Sequence, residues 1–445
     1  MSAGMLRVVA LADTDSYVKW AAALLGSLPA GTDVRLLIVE TALVVSPAQQ
    51  AAALDGSGLD PARVRRIVYD DLSGALGELA PDAVLVAARG PVVRVLTALV
   101  AALDPRPVIV SGLPGISIPA TTAAMVHRTQ CDLFVLHSTR EIAAFSALAR
   151  QRGLTQRFAL AGLPFARAGR PTLRERSTLR ERSTLPEPVE GRAGVVASTG
   201  SATVPRGTDL VFASQAIVPR ERIDRMRVAR LLVEAARADP GRRVVVKERA
   251  VAGEHQTHAQ KHGYPDLLRR MGPLPANLVI STDSMARALD AAEGLVTVSS
   301  TAAIEAIARG IPVIALDTFG VDDSLINTVF VGSGLLGSED DVVRRDFRLP
   351  PTEWLNRNYF HDPVDEDWIA ELVQLVELRR AGELPAKPGR ARRGGRLRDV
   401  WERRMALGSR DRSLAGTVVW IIGVPSRVVL RPILRPYYRR RLESA

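Results

Sequence analysis

The stretch Gly294–Asp317, GLVTVSSTAAIEAIARGIPVIALD, carries the strongest fold signal in the sequence. Its apolar run Leu295–Val298 has the length and composition of a buried strand. A helical pattern over Ala302–Arg309 follows, Gly310 is placed to end that helix, and Pro312 opens a second apolar run. A strand, a helix and another strand in this order predict a parallel sheet covered by helices.

The same alternation extends over the first 165 residues. Predicted strands there are Leu6–Ala12, Asp33–Val39, Arg63–Tyr69, Ala83–Ala87, Pro107–Val110 and Asp132–Leu136. Predicted helices between them include Ser16–Leu28, Val92–Leu103 and Glu141–Arg152. Nearly continuous apolar strands indicate a parallel sheet that is buried on both faces. Residues 1–165 are therefore expected to form one doubly wound α/β domain.

Residues 207–380 repeat the pattern and predict a second Rossmann-like domain. Its strands are expected at Asp209–Ala213, Arg243–Lys247, Asn277–Ser281, Gly294–Val298 and Pro312–Leu316, with helices at Ile223–Ala238, Ala302–Arg309 and Glu366–Arg379. Between the domains, residues 166–206 contain TLRERS twice in succession, at Thr172–Ser177 and Thr178–Ser183. Because this composition cannot bury an apolar face, we expect a flexible insertion or linker there. Residues 381–445 are expected to form a basic linker and tail.

Most of the positive charge lies near the end of the sequence. The 445 residues have a formal net charge of +11, and residues 376–445 contain 18 Lys or Arg against 6 Asp or Glu. The first 375 residues are thus close to neutral, whereas a nucleic-acid-binding fold would carry its basic residues across one face. This distribution argues against a nucleic-acid partner and favours an anionic surface. The single cysteine, Cys131, excludes a disulfide framework, as expected in a reducing compartment.

The stretch Leu414–Tyr438 mixes apolar, aromatic and basic residues. Its longest apolar run, Leu414–Val424, is shorter than the roughly 20 residues that a membrane-spanning helix needs. Trp420 among arginines is typical of a segment at the level of the lipid headgroups, although a packing helix with a basic end is the alternative. A strand pattern follows almost directly on Met1, so no signal peptide is expected. We therefore predict a cytoplasmic protein, peripheral at the inner face of the plasma membrane.

Three hydroxyl residues, Ser299, Ser300 and Thr301, stand between the strand and the helix of the first stretch. Hydroxyl groups beside free backbone N–H groups at the positive end of a helix can bind a phosphate without a metal ion. Glu305 lies one turn later, where its carboxylate can accept hydrogen bonds from ribose hydroxyls. Gln215, after the first strand of the second domain, is a further candidate nucleotide contact. Ordinary helix capping and a loop glutamine are the alternative explanations.

Basic and histidine residues follow the strand Arg243–Lys247. Lys247 or Arg249 is a candidate to neutralise a diphosphate, and His255 a candidate to protonate or hydrogen-bond the leaving phosphate. His255 and His258 also have a spacing compatible with zinc, but no third ligand is evident nearby. We therefore predict no metal site, and surface histidines remain the alternative.

Two acidic residues, Asp13 and Asp15, follow the first predicted strand. Doubly wound sheets bind ligands at the carboxyl ends of their strands, so either carboxylate is a candidate base for an acceptor hydroxyl. Lys19 stands behind them, and Gly115 lies in a tight loop after the strand Pro107–Val110. Both are expected to contribute to the acceptor site. Helix capping by Asp15 is the competing explanation.

Three other residues lie near the ends of predicted strands. Asp70 and Asp71 follow the third strand and resemble the acidic pair of sialyltransferase-like enzymes, although the glycine expected beside them is displaced to Gly74. They are the second choice for the base. His137 ends the strand Asp132–Leu136, and we expect a structural role for it.

The segment SSTAAIEAIARGIPVI, residues 299–314, resembles the donor half of GT-B glycosyltransferases, particularly the bacterial capsule polysialyltransferases and Kdo transferases. In those families a Ser-Ser pair, here Ser299 and Ser300, holds the donor phosphate. The related sugar-nucleotide 2-epimerases have a ribose-binding Glu where Glu305 stands. The capsule transferases also have a Lys-x-His-Pro motif, which is incomplete here because Lys247 is not followed by His-Pro. The pattern covers about residues 6–165 and 207–375 and is also similar to uncharacterised actinobacterial glycosyltransferases.

The resemblance implies two Rossmann-like domains facing across a cleft and an enzyme that needs neither metal nor cofactor. It implies that a hydroxyl of a cell-envelope glycan or lipid-linked acceptor displaces the nucleotide at the anomeric carbon. A CMP-sugar is the favoured donor, with UDP- and GDP-sugars left open. Three alternatives remain: a UDP-sugar 2-epimerase, a polyol-phosphate transferase and a non-catalytic envelope-assembly protein.

Overall fold

The computed structural model describes residues 5–167, 207–248, 262–387 and 395–423. The chain forms two compact α/β units. Unit 1 contains the residues up to Pro164 and those from His361 onward, and unit 2 lies between them in the sequence. The predicted fold class, two doubly wound α/β domains, is confirmed. The expected linker lies outside the described residues from position 168 to position 206.

In the described part of unit 1, seven parallel strands form one sheet in the order β3-β2-β1-β4-β5-β6-β7. The strands are β1 (Arg7–Ala12), β2 (Asp33–Val39), β3 (Val64–Ile67), β4 (Ala83–Ala87), β5 (Val108–Gly112), β6 (Leu133–Leu136) and β7 (Arg157–Leu160). The helices that follow them are α1 (Asp15–Gly26), α2 (Pro47–Leu54), α3 (Leu72–Leu79), α4 (Gly90–Val100), α5 (Thr122–His127), α6 (Thr139–Gln151) and α7 (Pro164–Arg167).

Helices cover both faces of this sheet because its strands are apolar on both sides. Val8, Ala10 and Ala12 of β1 pack in the core that contains α1 and α2. Val9 and Leu11 point the other way and pack with α3 and α4. All five side chains are buried. A central strand buried on both faces needs no polar alternation, which explains the continuous apolar runs of the sequence.

Helix α14 (Trp368–Arg380) belongs to unit 1, although the sequence pattern placed it at the end of the second domain. Its residues Trp368, Leu372 and Val376 join the buried core on the α1 face of the first sheet. Unit 2 therefore ends at Phe360, and the predicted boundary at residue 380 is corrected. The physical reason is that the apolar side of α14 is buried against the first sheet.

In the described part of unit 2, six parallel strands follow the order β10-β9-β8-β11-β12-β13. The strands are β8 (Asp209–Ala213), β9 (Val244–Lys247), β10 (Leu278–Ser281), β11 (Ala292–Thr297), β12 (Val313–Leu316) and β13 (Leu336–Gly337). The helices are α8 (Arg222–Ala238), α9 (Tyr264–Arg269), α10 (Met285–Asp290), α11 (Ala302–Ala308), α12 (Glu339–Arg344) and α13 (Thr352–Arg357). The long helix α8 supplies much of the core through its apolar face.

The strand order of each sheet reverses at its centre. In unit 1 the chain builds outward from β1 to β3 and then continues on the other side of β1 with β4, so the reversal lies between β1 and β4. In unit 2 the corresponding reversal lies between β8 and β11. At such a point the connections leave neighbouring strands on opposite faces and open a crevice at the strands' carboxyl ends, where ligands bind. Each of the two reversals is therefore an expected ligand-binding position.

The Asp82 carboxylate ties α14 to the opposite, amino end of the first sheet. It accepts hydrogen bonds from the backbone N–H of Arg7 (3.0 Å), from Arg379 Nη1 (3.1 Å) and from Arg380 Nη2 (2.8 Å). Burial opposes ionisation, but the bonds from Arg380 and Arg7 outweigh it and hold the pKa of Asp82 below its ordinary value. The ionised carboxylate therefore stabilises the folded form.

We expect Asp82→Asn to lower the free energy of unfolding of unit 1 by about 2–4 kcal/mol, because two guanidinium groups lose their counter-charge. The stabilisation should be complete above the ordinary pKa of 3.8 and disappear as the pH falls through the lower folded-state value. Urea unfolding at neutral and acidic pH measures both effects. The exposed carboxylate of Glu78 provides the control Glu78→Gln. Equal stability of the two variants at neutral pH would contradict this role.

Candidate functional site

At the reversal of unit 2, the Gln215 side chain joins the loops that follow β8 and β11. Its Oε1 accepts a hydrogen bond from the backbone N–H of Ser299 (2.8 Å), and its Nε2 donates to Ser299 Oγ (2.9 Å). Ser299 is buried, whereas Gln215 is partly exposed. Both residues are candidates from the sequence, and the structure places them in direct contact.

Hydroxyl groups also order the start of α11. Thr297 Oγ1 accepts from the backbone N–H of Ser300 (3.1 Å), and Ser300 Oγ accepts from the N–H of Ala302 (3.2 Å). Thr301 is the N-cap residue in helical geometry, and its side chain makes no capping hydrogen bond. Ser300 and Thr301 are both partly exposed. The predicted trio of hydroxyls thus lies together at the strand-to-helix turn, with Ser300 engaged in capping.

Arg225 holds the Gln215 loop from beneath and was missed in the sequence. Its guanidinium is buried and donates to the carbonyls of Gln215 (2.6 Å), Ala216 (2.8 Å) and Pro219 (2.8 Å). It also lies over the Tyr264 ring, 5.5 Å from the ring centre. A signal was available, because an arginine at position 225 falls on the apolar face of α8, three and four residues before buried positions.

Lys247 ends β9, beside the loop that follows β8. Its side chain is buried, and its Nζ donates to the backbone carbonyl of Glu248. Glu248 Oε2 in turn accepts a hydrogen bond from Ser214 Oγ (2.9 Å). Lys247 at the end of β9 and Ser214 directly after β8 are therefore neighbours, and the Ser214 backbone N–H donates to the Lys247 carbonyl at 3.1 Å. Arg249, His255 and His258 lie outside the described residues.

Glu305 lies on α11, one turn after Thr301, with its carboxylate paired to Arg309. Glu305 Oε1 is 3.5 Å from Arg309 Nη2, and Arg309 is held in turn by the Ala286 carbonyl and by Asp290. The Glu305 carboxylate is mostly buried. Any ribose hydroxyl bound by Glu305 would share this carboxylate with Arg309.

At the reversal of unit 1, the buried carboxylate of Asp13 forms an ion pair with the partly exposed Arg89. Asp13 Oδ2 is 2.8 Å from Arg89 Nε, and Oδ1 accepts from the Arg89 backbone N–H at 3.2 Å. Burial raises the pKa of Asp13, and the charge of Arg89 opposes this shift. Among the described residues, the buried atoms Thr14 Oγ1 and Arg89 Nη2 have no hydrogen-bond partner. The reversal therefore presents hydrogen-bond donors of Arg89 and Thr14 around the Asp13 carboxylate, whose charge is offset by Arg89.

The other residues predicted for unit 1 are spread along the same edge. Asp15 lies in the first turn of α1 and Lys19 one turn later, both partly exposed. The Gly115 carbonyl, in the loop after β5, accepts a hydrogen bond from Ser117 Oγ (3.0 Å). Asp70, after β3, pairs with Arg403 at 2.6 Å. The four residues lie near strand ends at the same edge of the first sheet.

His137 has a structural environment, as the sequence analysis expected. It is completely buried, and its Nε2 accepts a hydrogen bond from Trp20 Nε1 at 2.7 Å. Its Nδ1 lies 2.8 Å from the Ala161 carbonyl, so this nitrogen carries the proton. Within the described ranges, no group of three or more His, Cys, Asp or Glu side chains is arranged to hold a metal ion.

Two solved structures share this architecture at low sequence identity. One is described as a putative UDP-N-acetylglucosamine 2-epimerase from Listeria monocytogenes; it is 9% identical, has a TM-score of 0.51, and the match covers 86% of this chain and 98% of that one. The other is a UDP-GlcNAc 2-epimerase from Methanocaldococcus jannaschii in complex with UDP-GlcNAc and UDP; it is 10% identical, with a TM-score of 0.50 and coverage of 83% and 99%. These similarities establish a GT-B-like fold.

A search of the curated proteins found no match. A family model, in contrast, matches residues 8–375, which include both sheets and both strand-order reversals. The matched range begins in β1 and ends in α14, so it spans the residues that build each unit. On this evidence the chain belongs to the family described as "Putative glycosyltransferase (DUF6716)".

Proposed function

We propose that this protein transfers a sugar from a nucleotide-activated donor, bound by unit 2, to a hydroxyl of an acceptor bound by unit 1. The contact between the Gln215 amide and Ser299 carries the proposal, because it holds the loops after β8 and β11 together at the strand-order reversal. A leaving phosphate requires donor groups that are already in position when negative charge develops. Ser299, Ser300 and Thr301 are proposed to supply these donors.

The donor proposal relies on side chains more than on the helix dipole. Helix α11 has only seven residues, so its backbone contributes a modest positive potential. Lys247, at the neighbouring strand end, is proposed to neutralise the phosphate charge, with Arg249 and His255 acting on the leaving group. Glu305 is proposed to bind the ribose. The donor is proposed to be a pyrimidine nucleotide sugar, activated by CMP as in the resembling capsule enzymes or by UDP as in the Methanocaldococcus jannaschii complex.

In unit 1 the two candidate carboxylates are proposed to have different roles. Asp13 is buried beneath Arg89 and accepts two hydrogen bonds from it, so it is assigned the positioning of that guanidinium. Asp15 is partly exposed at the start of α1 and is assigned the role of the base that removes the acceptor proton. Lys19 and Gly115 are proposed to line the acceptor site. No metal ion or cofactor takes part in the proposed reaction.

A UDP-sugar 2-epimerase is the second candidate, since both solved structures described above bear that name. Epimerisation would need several carboxylates around the sugar to remove and return its C2 proton. The family to which the chain belongs is, in contrast, described as a putative glycosyltransferase over residues 8–375. Transfer is therefore the better supported proposal.

Donor binding is tested by thermal unfolding with CMP, UDP, GDP and their sugars. A ligand at about 100 times its dissociation constant should stabilise the protein by about 2.7 kcal/mol. Ser300→Ala removes one hydroxyl donor to a charged phosphate and should weaken the affinity about tenfold, which reduces the stabilisation to about half. The exposed hydroxyl of Thr352, elsewhere in unit 2, gives the control Thr352→Ala. Undiminished stabilisation of Ser300→Ala would place the phosphate elsewhere.

The roles of Asp13 and Asp15 are separable by measuring turnover and stability together. Asp15→Asn should lower the transfer rate at least about 100-fold and lower the unfolding temperature less than Asp13→Asn does. Asp13→Asn should also lower stability, by about 1–3 kcal/mol, because the buried side chain loses its ion pair with Arg89 and part of its hydrogen bonding. Glu78→Gln serves as the exposed control. Retention of full activity by Asp15→Asn would reject it as the base.

The choice between transfer and epimerisation is decided with UDP-GlcNAc as the only sugar nucleotide. Without an acceptor we expect no UDP-ManNAc, because C2 of the sugar is not deprotonated in the proposed displacement. Proton NMR in deuterated water detects both the epimer and exchange at C2. Formation of UDP-ManNAc, with loss of that activity in Ser300→Ala, would replace the transferase proposal by the epimerase.

A further inference from the structure

The beginning of the basic tail is firmly attached to unit 1. Helix α15 (Gly395–Leu407) packs beside α4, with Glu402 Oε2 3.2 Å from Arg94 Nε. Arg403 Nη2 lies 2.6 Å from Asp70 Oδ1, and its guanidinium stacks over the Tyr69 ring at 4.6 Å. These contacts fix the helix against the loop that follows β3.

A second attachment lies immediately after this helix. Arg410 Nη1 is 2.9 Å from Glu40 Oε2, in the loop that follows β2. A Cβ atom on Gly408 would come within 2.7 Å of the Ala42 side chain, so the backbone approaches that loop closely. Asp411 is buried and pairs with Arg403 at 3.0 Å. The tail is therefore held at the carboxyl edge of the first sheet, on its β2–β3 side.

The next helical segment, residues 414–423, has its apolar face turned outward. Leu414 is 86% exposed, and Val418, Ile421 and Ile422 are each more than half exposed. Their spacing of four, seven and eight residues places them on one helix face. A helix of a water-soluble domain normally buries its apolar face. This segment instead exposes its apolar face to solvent.

Small residues occupy the opposite, inward face of the same segment. A Cβ atom on Gly423 would lie 2.3 Å from the Trp401 ring of α15, and one on Gly416 would lie 2.3 Å from Asp411 Oδ2. Arg404 lies over the Trp420 ring at 5.8 Å. The segment is thus packed on α15 through its glycines, and this packing fixes the outward direction of its large apolar side chains.

The charge around this face is positive. Arg412 is exposed beside it. The sequence after the segment, residues 424–445, contains six arginines and one acidic residue. A binding partner for this face must accept apolar side chains and attract arginines. A hydrocarbon layer that carries anionic groups at its surface meets both requirements.

We propose that the apolar face formed by Leu414, Val418, Ile421 and Ile422 binds unit 1 to an anionic lipid bilayer. The helix lies in the interface, with these four side chains among the acyl chains and Arg412 at the level of the headgroups. Among the described residues, no helix is both long and apolar enough to cross a bilayer. Attachment along the surface is the arrangement that this helix permits.

The position of the helix bears on the acceptor, and this step rests on the proposed function. Glu40 and Asp70 bind the tail to loops at the same sheet edge that carries Asp13 and Asp15. A bilayer bound at that edge brings its lipid headgroups towards the proposed acceptor site of unit 1. The acceptor class that fits is a glycan or hydroxyl carried by a lipid.

Vesicle flotation with the full-length protein tests the surface without donor or acceptor, so its outcome is independent of the transferase proposal. The protein should float with vesicles of equal parts phosphatidylglycerol and phosphatidylcholine, and much less with phosphatidylcholine alone. Leu414→Asp should reduce the bound fraction at least about tenfold, because it removes a large apolar group and adds a negative charge. Val364 is 83% exposed on the same unit, so Val364→Asp is the matched control and should bind like the unchanged protein.

Three results would overturn the proposal. The first is equal flotation of Leu414→Asp and Val364→Asp, and the second is no flotation of the unchanged protein with anionic vesicles. The third is dimerisation in analytical ultracentrifugation that Leu414→Asp abolishes, since the face would then bind a second copy of the chain. Circular dichroism spectra of the variants should match, because Leu414 is exposed and contributes little to folding.

Discussion

The pair of hydrogen bonds between the Gln215 amide and Ser299 is the contact on which the candidate donor site depends. The bonds connect two neighbouring parallel strands just beyond their carboxyl ends, where the backbone ladder has stopped. Arg225 donates a hydrogen bond to the backbone carbonyl of Gln215 from the buried side. This bond restrains the backbone that carries the Gln215 side-chain amide. The turn from β11 into α11 is consequently held before any ligand arrives. Donor groups fixed in advance need no reorganisation when charge develops on a leaving phosphate.

The two strand-order reversals differ in their chemistry although they share one topology. In unit 2 the contact is neutral, an amide with a hydroxyl and a backbone N–H. In unit 1 it is an ion pair, Asp13 with Arg89, in which the carboxylate is completely buried. The amide, hydroxyl and backbone groups of the unit 2 contact carry no formal charge. At the unit 1 ion pair, Asp13 offsets the positive charge of Arg89.

Much of the fold could be predicted from the sequence because the central strands are continuous apolar runs. The predicted bounds of Asp33–Val39, Ala83–Ala87 and Asp209–Ala213 are those of the structure. The edge strands β7 and β13 were missed. The first begins with a charged residue, and the second has only two residues, so neither gives a periodic signal. The membership of α14 in unit 1 was also unpredictable, because an apolar helix face does not specify which sheet it will cover.

For the candidate site, the rule that ligands bind beyond strand ends selected Gln215 and the hydroxyl trio, which the structure places together. The same rule applies to Arg89, which follows β4. An arginine after a strand is common, however, and the sequence does not indicate which carboxylate it pairs with. The pairing with Asp13 spans 76 positions and exists only because β1 and β4 are neighbours in the sheet. Arg225 depends in the same way on tertiary contacts, since its partners are backbone carbonyls that no sequence pattern identifies.

The structure separates two uses of the acidic residues at the edge of the first sheet. Glu40 and Asp70 follow the outer strands β2 and β3 and form ion pairs with Arg410 and Arg403 of the tail. If Asp70 left Arg403 to accept a proton, the attachment of α15 would weaken. Asp70 therefore serves to hold the tail. Asp13, beside the strand-order reversal, forms its ion pair with Arg89 instead. The tail and the reversal therefore draw on different carboxylates of the same sheet edge.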